Sequence, residues 1–133
     1  VSGPATTSVA VARAIDELKA EFGAEAVASK PDGDGGAFVR VSDLDFGPQW
    51  RVSLAELRFH LPYNYPDAAI YPYYLLSDLE RLEGNWPDNV RRGVGFDGGT
   101  YIQASLRFNR WNPGIDTAAG AVHEVCEWLR TVL

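Results

Sequence analysis

A chain of 133 residues suits one domain with a single core. Hydrophobic residues make up 46% of it, and its four tryptophans, six tyrosines and six phenylalanines exceed what a disordered chain carries. The net charge of −6 and a pI near 4.8 exclude non-specific nucleic-acid binding, which needs a basic footprint to displace counterions, while leaving room for a protein partner with a basic face.

The opening "VSGPATTS" has no apolar signal core and reads as a flexible stretch, residues 1–8, ahead of one domain over 9–133. Methionine is absent even from position 1, which leaves a processed start or a larger parent protein open. Ser8 can cap a helix over 9–22, in which Val11, Ile15, Leu18 and Phe22 recur on one face. Gly23 is placed to end it. Arg13, Asp16, Glu17, Lys19 and Glu21 fall on the charged face.

"EAVASK" (25–30) is a weak strand signal, "PDGDGG" (31–36) a reversal, "AFVRVSDL" (37–44) a strand and "FGPQ" (46–49) the next turn. Residues 50–61 carry two alternating runs, Trp50, Val52, Leu54 and then Leu57, Phe59, Leu61. The slip of phase at Ala55–Glu56 predicts a bulge within one long strand. Pro62 and Pro66 close that strand, and "AIYPYYLL" (69–76) reads as another, with Pro72 forcing an edge or irregular start.

Residues 77–100 read as a long, loop-rich segment with a possible helical turn at "SDLERLE". Asp116 can cap a last helix, 117–133, with an apolar stripe of Ala118, Val122, Val125, Cys126, Leu129 and Val132. The order predicts an α+β domain: helix, antiparallel strands, irregular segment, helix. No apolar run reaches the roughly 20 residues of a membrane helix. One cysteine precludes an intramolecular disulfide, and a reducing cytoplasm is the simplest compartment.

The chemistry-bearing residues are sparse. "GVGFDGG" lacks the Lys-Ser/Thr of a phosphate loop and joins no strand to a helix, so no nucleotide cofactor is expected. His60 and His123 are the only histidines, and metal sites gather three or four ligands, so no metal is expected. Cys126 lies on the apolar stripe of the last helix between Glu124 and Glu127, whose charges would raise a nearby thiol's pKa; it reads as a core residue rather than a nucleophile. Ser105 can be combined with a histidine and an aspartate on paper, but no nucleophile elbow surrounds it. The carboxylate pairs Asp43/Asp45 and Glu80/Glu83 read as solvated loop residues.

Two motifs do carry a resemblance. "FHLPYNYP" (59–66), followed by "AAIYP", is similar to the corner that ends the third strand of ubiquitin-conjugating enzymes and enters the fourth. "YIQASLRFNRWNP" (101–113) resembles the Ile-Cys pair of those enzymes with its Trp-x-Pro eight positions on, here Ile102-Gln103 and Trp111-Asn112-Pro113. The element order also resembles that superfamily and its ubiquitin-variant and RWD relatives, closest to the prokaryotic members found beside ubiquitin-like proteins and activating enzymes. The resemblance implies a helix packed on a four-stranded antiparallel meander, an irregular crossing segment and a C-terminal helix.

The departures from the family pattern are as informative. Gln103 stands where the nucleophile belongs, and a carboxamide cannot form a thioester. The His-Pro-Asn triplet whose asparagine is held to stabilise the oxyanion is replaced by "RGVGFDGG", and the two helices that usually follow are missing. The resemblance therefore implies a non-catalytic member, binding a ubiquitin-like protein or an activating enzyme in a bacterial conjugation or antiphage system. The alternatives are an active enzyme using Cys126, the only thiol, and a structural domain of a larger enzyme. Candidate binding residues are Arg13, Glu17 and Lys19 on the first helix, Gln103 and the groove bordered by 95–100 and 107–111, and possible anchors Tyr63, Tyr73, Trp86, Arg107 and Arg110.

Overall fold

A computed structural model describes residues 7–48, 50–51, 54–80, 82, 86, 89–106 and 111–131. Its first helix, α1, runs Val9–Phe22, with the bounds that its caps dictate. The Ser8 hydroxyl accepts from the Val11 N–H at 3.2 Å. Gly23, at φ 97°, ends the helix and donates its N–H to the Lys19 carbonyl. Val11, Ala14, Ile15 and Leu18 are buried.

Two strands follow, β1 (Val27–Pro31) and β2 (Ala37–Leu44), joined by the expected reversal. There the Asp32 carboxylate accepts from the N–H groups of Asp34 (2.7 Å) and Gly36 (3.0 Å). Gly36 is obligatory, because a Cβ at that position would run into the Leu61 carbonyl and the Asp32 carboxylate. The next strand, β3, spans Ala55–Leu61. Val41 faces Leu57 but Leu44 faces Ala55, so the extra residue sits on β2, where Asp43 takes φ 60°. The long strand expected over 50–61 is thus reduced to its second run, and the bulge expected at Ala55–Glu56 is not in it; the extra residue is on its partner β2. Leu54, expected on the buried face, precedes the strand and is 54% exposed, while Val52 lies outside the described residues.

The strand expected at 69–76 is shorter: β4 is Tyr73–Leu76, beginning only after Pro72. The larger correction follows it. Instead of a loop-rich crossing, residues 90–104 form a hairpin of β5 (Val90–Phe96) and β6 (Gly99–Ala104). The sheet therefore has six antiparallel strands, not four, in the order β1-β2-β3-β4-β6-β5. Asp97 (φ 46°) and Gly98 (φ 80°) make the two-residue turn, and Phe96 faces Gly99 across it.

The last helix, α2, is Ala118–Thr131; positions 132–133 lie outside the described residues. Its cap is Thr117, whose hydroxyl accepts from Gly120, rather than Asp116, whose carboxylate instead accepts from the Asn112 N–H. Both helices and one face of the sheet share one core, in which Val11, Leu18, Leu57, Phe59, Leu75, Ile102, Val122 and Leu129 are essentially inaccessible. At about 25 cal/mol per Å² of apolar surface, each such side chain contributes about 1.5–3 kcal/mol of burial. The α+β class with antiparallel strands and two flanking helices is therefore established.

Candidate functional site

The two sequence motifs meet in space. The corner after β3 brings Tyr65 beneath the start of α2, where its hydroxyl accepts from the Ala118 N–H at 2.8 Å. That N–H is one of the four that an α-helix leaves unpaired at its start. Trp111 reaches the same corner, its indole N–H donating to the Pro66 carbonyl and its ring 6.1 Å from that of Tyr65. Between Trp111 and α2 the chain closes on itself: the Asn112 carbonyl accepts from Asp116 and the Asn112 side chain accepts from Gly114. Burial raises the Tyr65 phenol pKa, and the charge of Glu17 on α1 adds to it against the hydrogen bond from Ala118.

Gln103 is next to the end of β6, facing Tyr74 on β4 and Arg91 on β5. Its neighbours Ile102 and Ala104 are buried, so its half-buried side chain is on the face of the sheet away from the helices. The groove expected around it takes another form: residues 95–100 are the end of the β5–β6 hairpin, and 107–110, with Arg107 and Arg110, lie outside the described residues.

The other expected binding residues divide. Arg13, Glu17 and Lys19 are exposed along α1, and among the described residues Arg13 and Lys19 enter no ion pair. Tyr63 is 65% exposed. Tyr73 is not an exposed anchor: it is buried at the start of β4, its ring 6.1 Å from that of Phe59. Burial, aided by the Glu124 charge, pushes its phenol pKa far above the ordinary value. Trp86 is half-buried, packed against the core with its ring 5.2 Å from that of Trp50.

Cys126 is buried in α2. Burial is what chiefly raises its thiol pKa; Arg130 works against this, and the acid that adds to it is Asp45, not the flanking glutamates. His60 pairs with Asp32 (2.5 Å) and His123 with Glu21 (2.7 Å), on different elements. Among the described residues no three His, Cys, Asp or Glu side chains are grouped to hold a metal ion. No described helix is long and apolar enough to cross a membrane.

Arg40 and Arg58 were not singled out from the sequence. They face each other directly across β2 and β3, in a row that continues through Tyr74, Gln103 and Arg91. The signal was present as the alternation in "AFVRV" and "ELRFHL", where every second residue is polar or aromatic rather than aliphatic.

Compared with protein-family models, curated proteins and solved structures, the chain finds no match in any of the three.

Proposed function

We propose that this chain is a non-catalytic, ubiquitin-conjugating-enzyme-like domain that binds a ubiquitin-like protein or an activating-enzyme-like protein in a bacterial conjugation or antiphage system. The observation that carries the reading is the junction of the two motifs. Tyr65 and Pro66 from one and Trp111 from the other are tied by hydrogen bonds at the start of α2. That the two sequence pieces resembling one family meet in one structural unit supports this reading. The six-stranded sheet departs from the family pattern through the β5–β6 hairpin, in the stretch where the His-Pro-Asn triplet was also missing.

Catalysis is disfavoured on chemical grounds. Gln103 offers no nucleophile, and Cys126 is a buried thiol whose pKa is raised, so the thiolate that would carry a thioester is suppressed. The binding surface we favour is the exposed side of α1, with Arg13 and Lys19 as the available cations. Replacing both by glutamate tests it. Association with a ubiquitin-like or activating-enzyme-like protein encoded beside this one, measured by calorimetry, should fall at least about tenfold, the loss expected when a charge reversal removes a hot spot of the interface. An unchanged affinity in a variant of unchanged melting temperature would remove α1 as the docking surface.

A further inference from the structure

The outer face of the sheet, turned away from both helices, holds a feature that the adaptor reading does not use. The β5–β6 hairpin curls over this face. Gly93 (φ 72°) marks an extra residue in β5, since Arg91 faces Gln103 while Val94 faces Tyr101. Such a bulge bends its strand and sharpens the twist. Phe96 therefore stacks on Tyr74 across β6, with ring centroids 3.9 Å apart and an interplanar angle of 16°, and meets the Phe38 ring edge-on at 5.5 Å. Asp97 at the hairpin tip pairs with Lys30 of β1 at 3.0 Å, joining the two edges of the sheet.

Between the tip and β1–β3 lies an open cleft of about 220 Å³, lined by Lys30, Phe38, Arg40, Arg58, Phe96 and Asp97 among others. Its charges are not balanced. Lys30 is paired with Asp97, and Arg58 with Glu56, its guanidinium also lying over the Tyr101 ring at 5.1 Å. Arg40 has no carboxylate partner among the described residues, and its Nε is buried without a hydrogen-bond acceptor. A buried N–H of a charged group normally finds an acceptor. Like charges directly opposed across a ladder, as Arg40 and Arg58 are, weaken it unless something between them offsets the repulsion. A protein with net charge −6 has thus left one cation, Arg40, uncompensated at a concave site beside two paired ones.

From this the geometry points to a binding site for a small organic anion, one phosphate or carboxylate group attached to a flat, ring-sized body. The anion would accept from Arg40, whose planar fork suits two oxygens, with Arg58 beside it. The flat body would lie against Phe38 and Phe96. The volume is adequate, since a cavity of about 150 Å³ already holds a benzene ring. The site is on the opposite side of the sheet from α1, so its occupancy does not depend on the adaptor reading.

Phenyl phosphate is the probe. Titrated into the full chain at low salt and followed by amide NMR, it should shift the resonances of Lys30, Phe38, Arg58 and Phe96 with a Kd of about 1 mM or below, a modest affinity in keeping with an open, ring-sized site. Inorganic phosphate and neutral benzyl alcohol, each lacking half of the ligand, should bind at least about tenfold more weakly, the ratio that 1.4 kcal/mol produces. Arg40→Gln should weaken phenyl phosphate by a similar factor. If that variant does not fold, raising the salt from about 0.05 to 0.5 M with the unaltered protein must weaken binding severalfold, since the site is open to solvent. No shift at these residues with about 10 mM probe, equal binding of benzyl alcohol, or indifference to both Arg40→Gln and salt would overturn the proposal.

Discussion

The hydroxyl of Tyr65 accepts a hydrogen bond from the N–H of Ala118 at 2.8 Å, so the corner that follows β3 also starts α2. The other end of the same helix is held by an aromatic residue that precedes β3. Trp50 donates its indole N–H to the Leu129 carbonyl at 3.0 Å. Both bonds satisfy backbone groups that a helix cannot satisfy alone, and both are buried. The helix is thereby fixed at both ends to the segments that flank β3.

Tyr65→Phe keeps the ring but leaves the Ala118 N–H without its acceptor. It should cost about 1–3 kcal/mol, the penalty for an unsatisfied buried donor, read from the urea midpoint at unchanged m-value. Trp50→Phe should cost at least as much, because it also removes core volume. As the two sites serve opposite ends of α2, their effects should add to within about 0.5 kcal/mol in the double variant.

Gly36→Ala should be among the most damaging substitutions of a small residue. The added methyl meets the Leu61 carbonyl, a backbone atom fixed by pairing with Ala37 in the β2–β3 ladder. A loss of about 1–3 kcal/mol is expected, the usual cost of overpacking. Gly33→Ala, at φ 91° but with open space around it, separates the two mechanisms: its cost is backbone strain alone, about 1 kcal/mol. Equal melting temperatures for Gly36→Ala and the parent would show that the reversal can open without loss.

Stability should carry an acid-side signature from Asp32. Partial burial opposes its charge, but the hydrogen bonds from His60, Asp34 and Gly36 outweigh this and hold the carboxyl below its ordinary 3.8. A carboxyl whose pKa is lower folded than unfolded adds stability that is present above the unfolded value and lost as pH falls through the folded one. The advantage of the parent over Asp32→Asn should therefore be full near pH 5 and shrink progressively below about pH 4. A difference in urea midpoint that stays constant from pH 5 down to pH 2.5 would contradict it.

Much of this fold was legible because local chemistry and global packing agree. Ser8 and Gly23 bracket α1 at the expected residues, and β2 occupies the expected span, since each boundary is set by a cap or a turn within a few positions. The β5–β6 hairpin was missed because four glycines between 93 and 99 looked like a loop by composition. Asp97-Gly98, flanked by Val94-x-Phe96 and Tyr101-Ile102, was nonetheless the two-residue turn signal that overrides that impression. Tyr73 was misplaced outward for a different reason. Alternation in "YPYYLL" can be read in either phase, and only pairing with Ala104 across β6 fixes which tyrosine is inside. The cleft was invisible because its walls come from strands far apart in sequence, brought together only by the curl of the hairpin.

Cys126 should behave as a core thiol. In native conditions its reaction with a disulfide reagent should be at least about 100-fold slower than in urea, because thiolate formation and access both require opening. Burst labelling of the folded protein would show a reactive thiol and restore the catalytic alternative.

The claim that this domain binds without catalysing is tested most directly by incubating it with ATP and with the ubiquitin-like protein and activating enzyme encoded beside it. Complex formation and covalent transfer would be read from the same samples, by size-exclusion and by gels run with and without reductant. The account predicts a non-covalent complex with one of the two proteins and no reductant-sensitive adduct. A thioester lost in Cys126→Ser, or no complex with either protein, would contradict it.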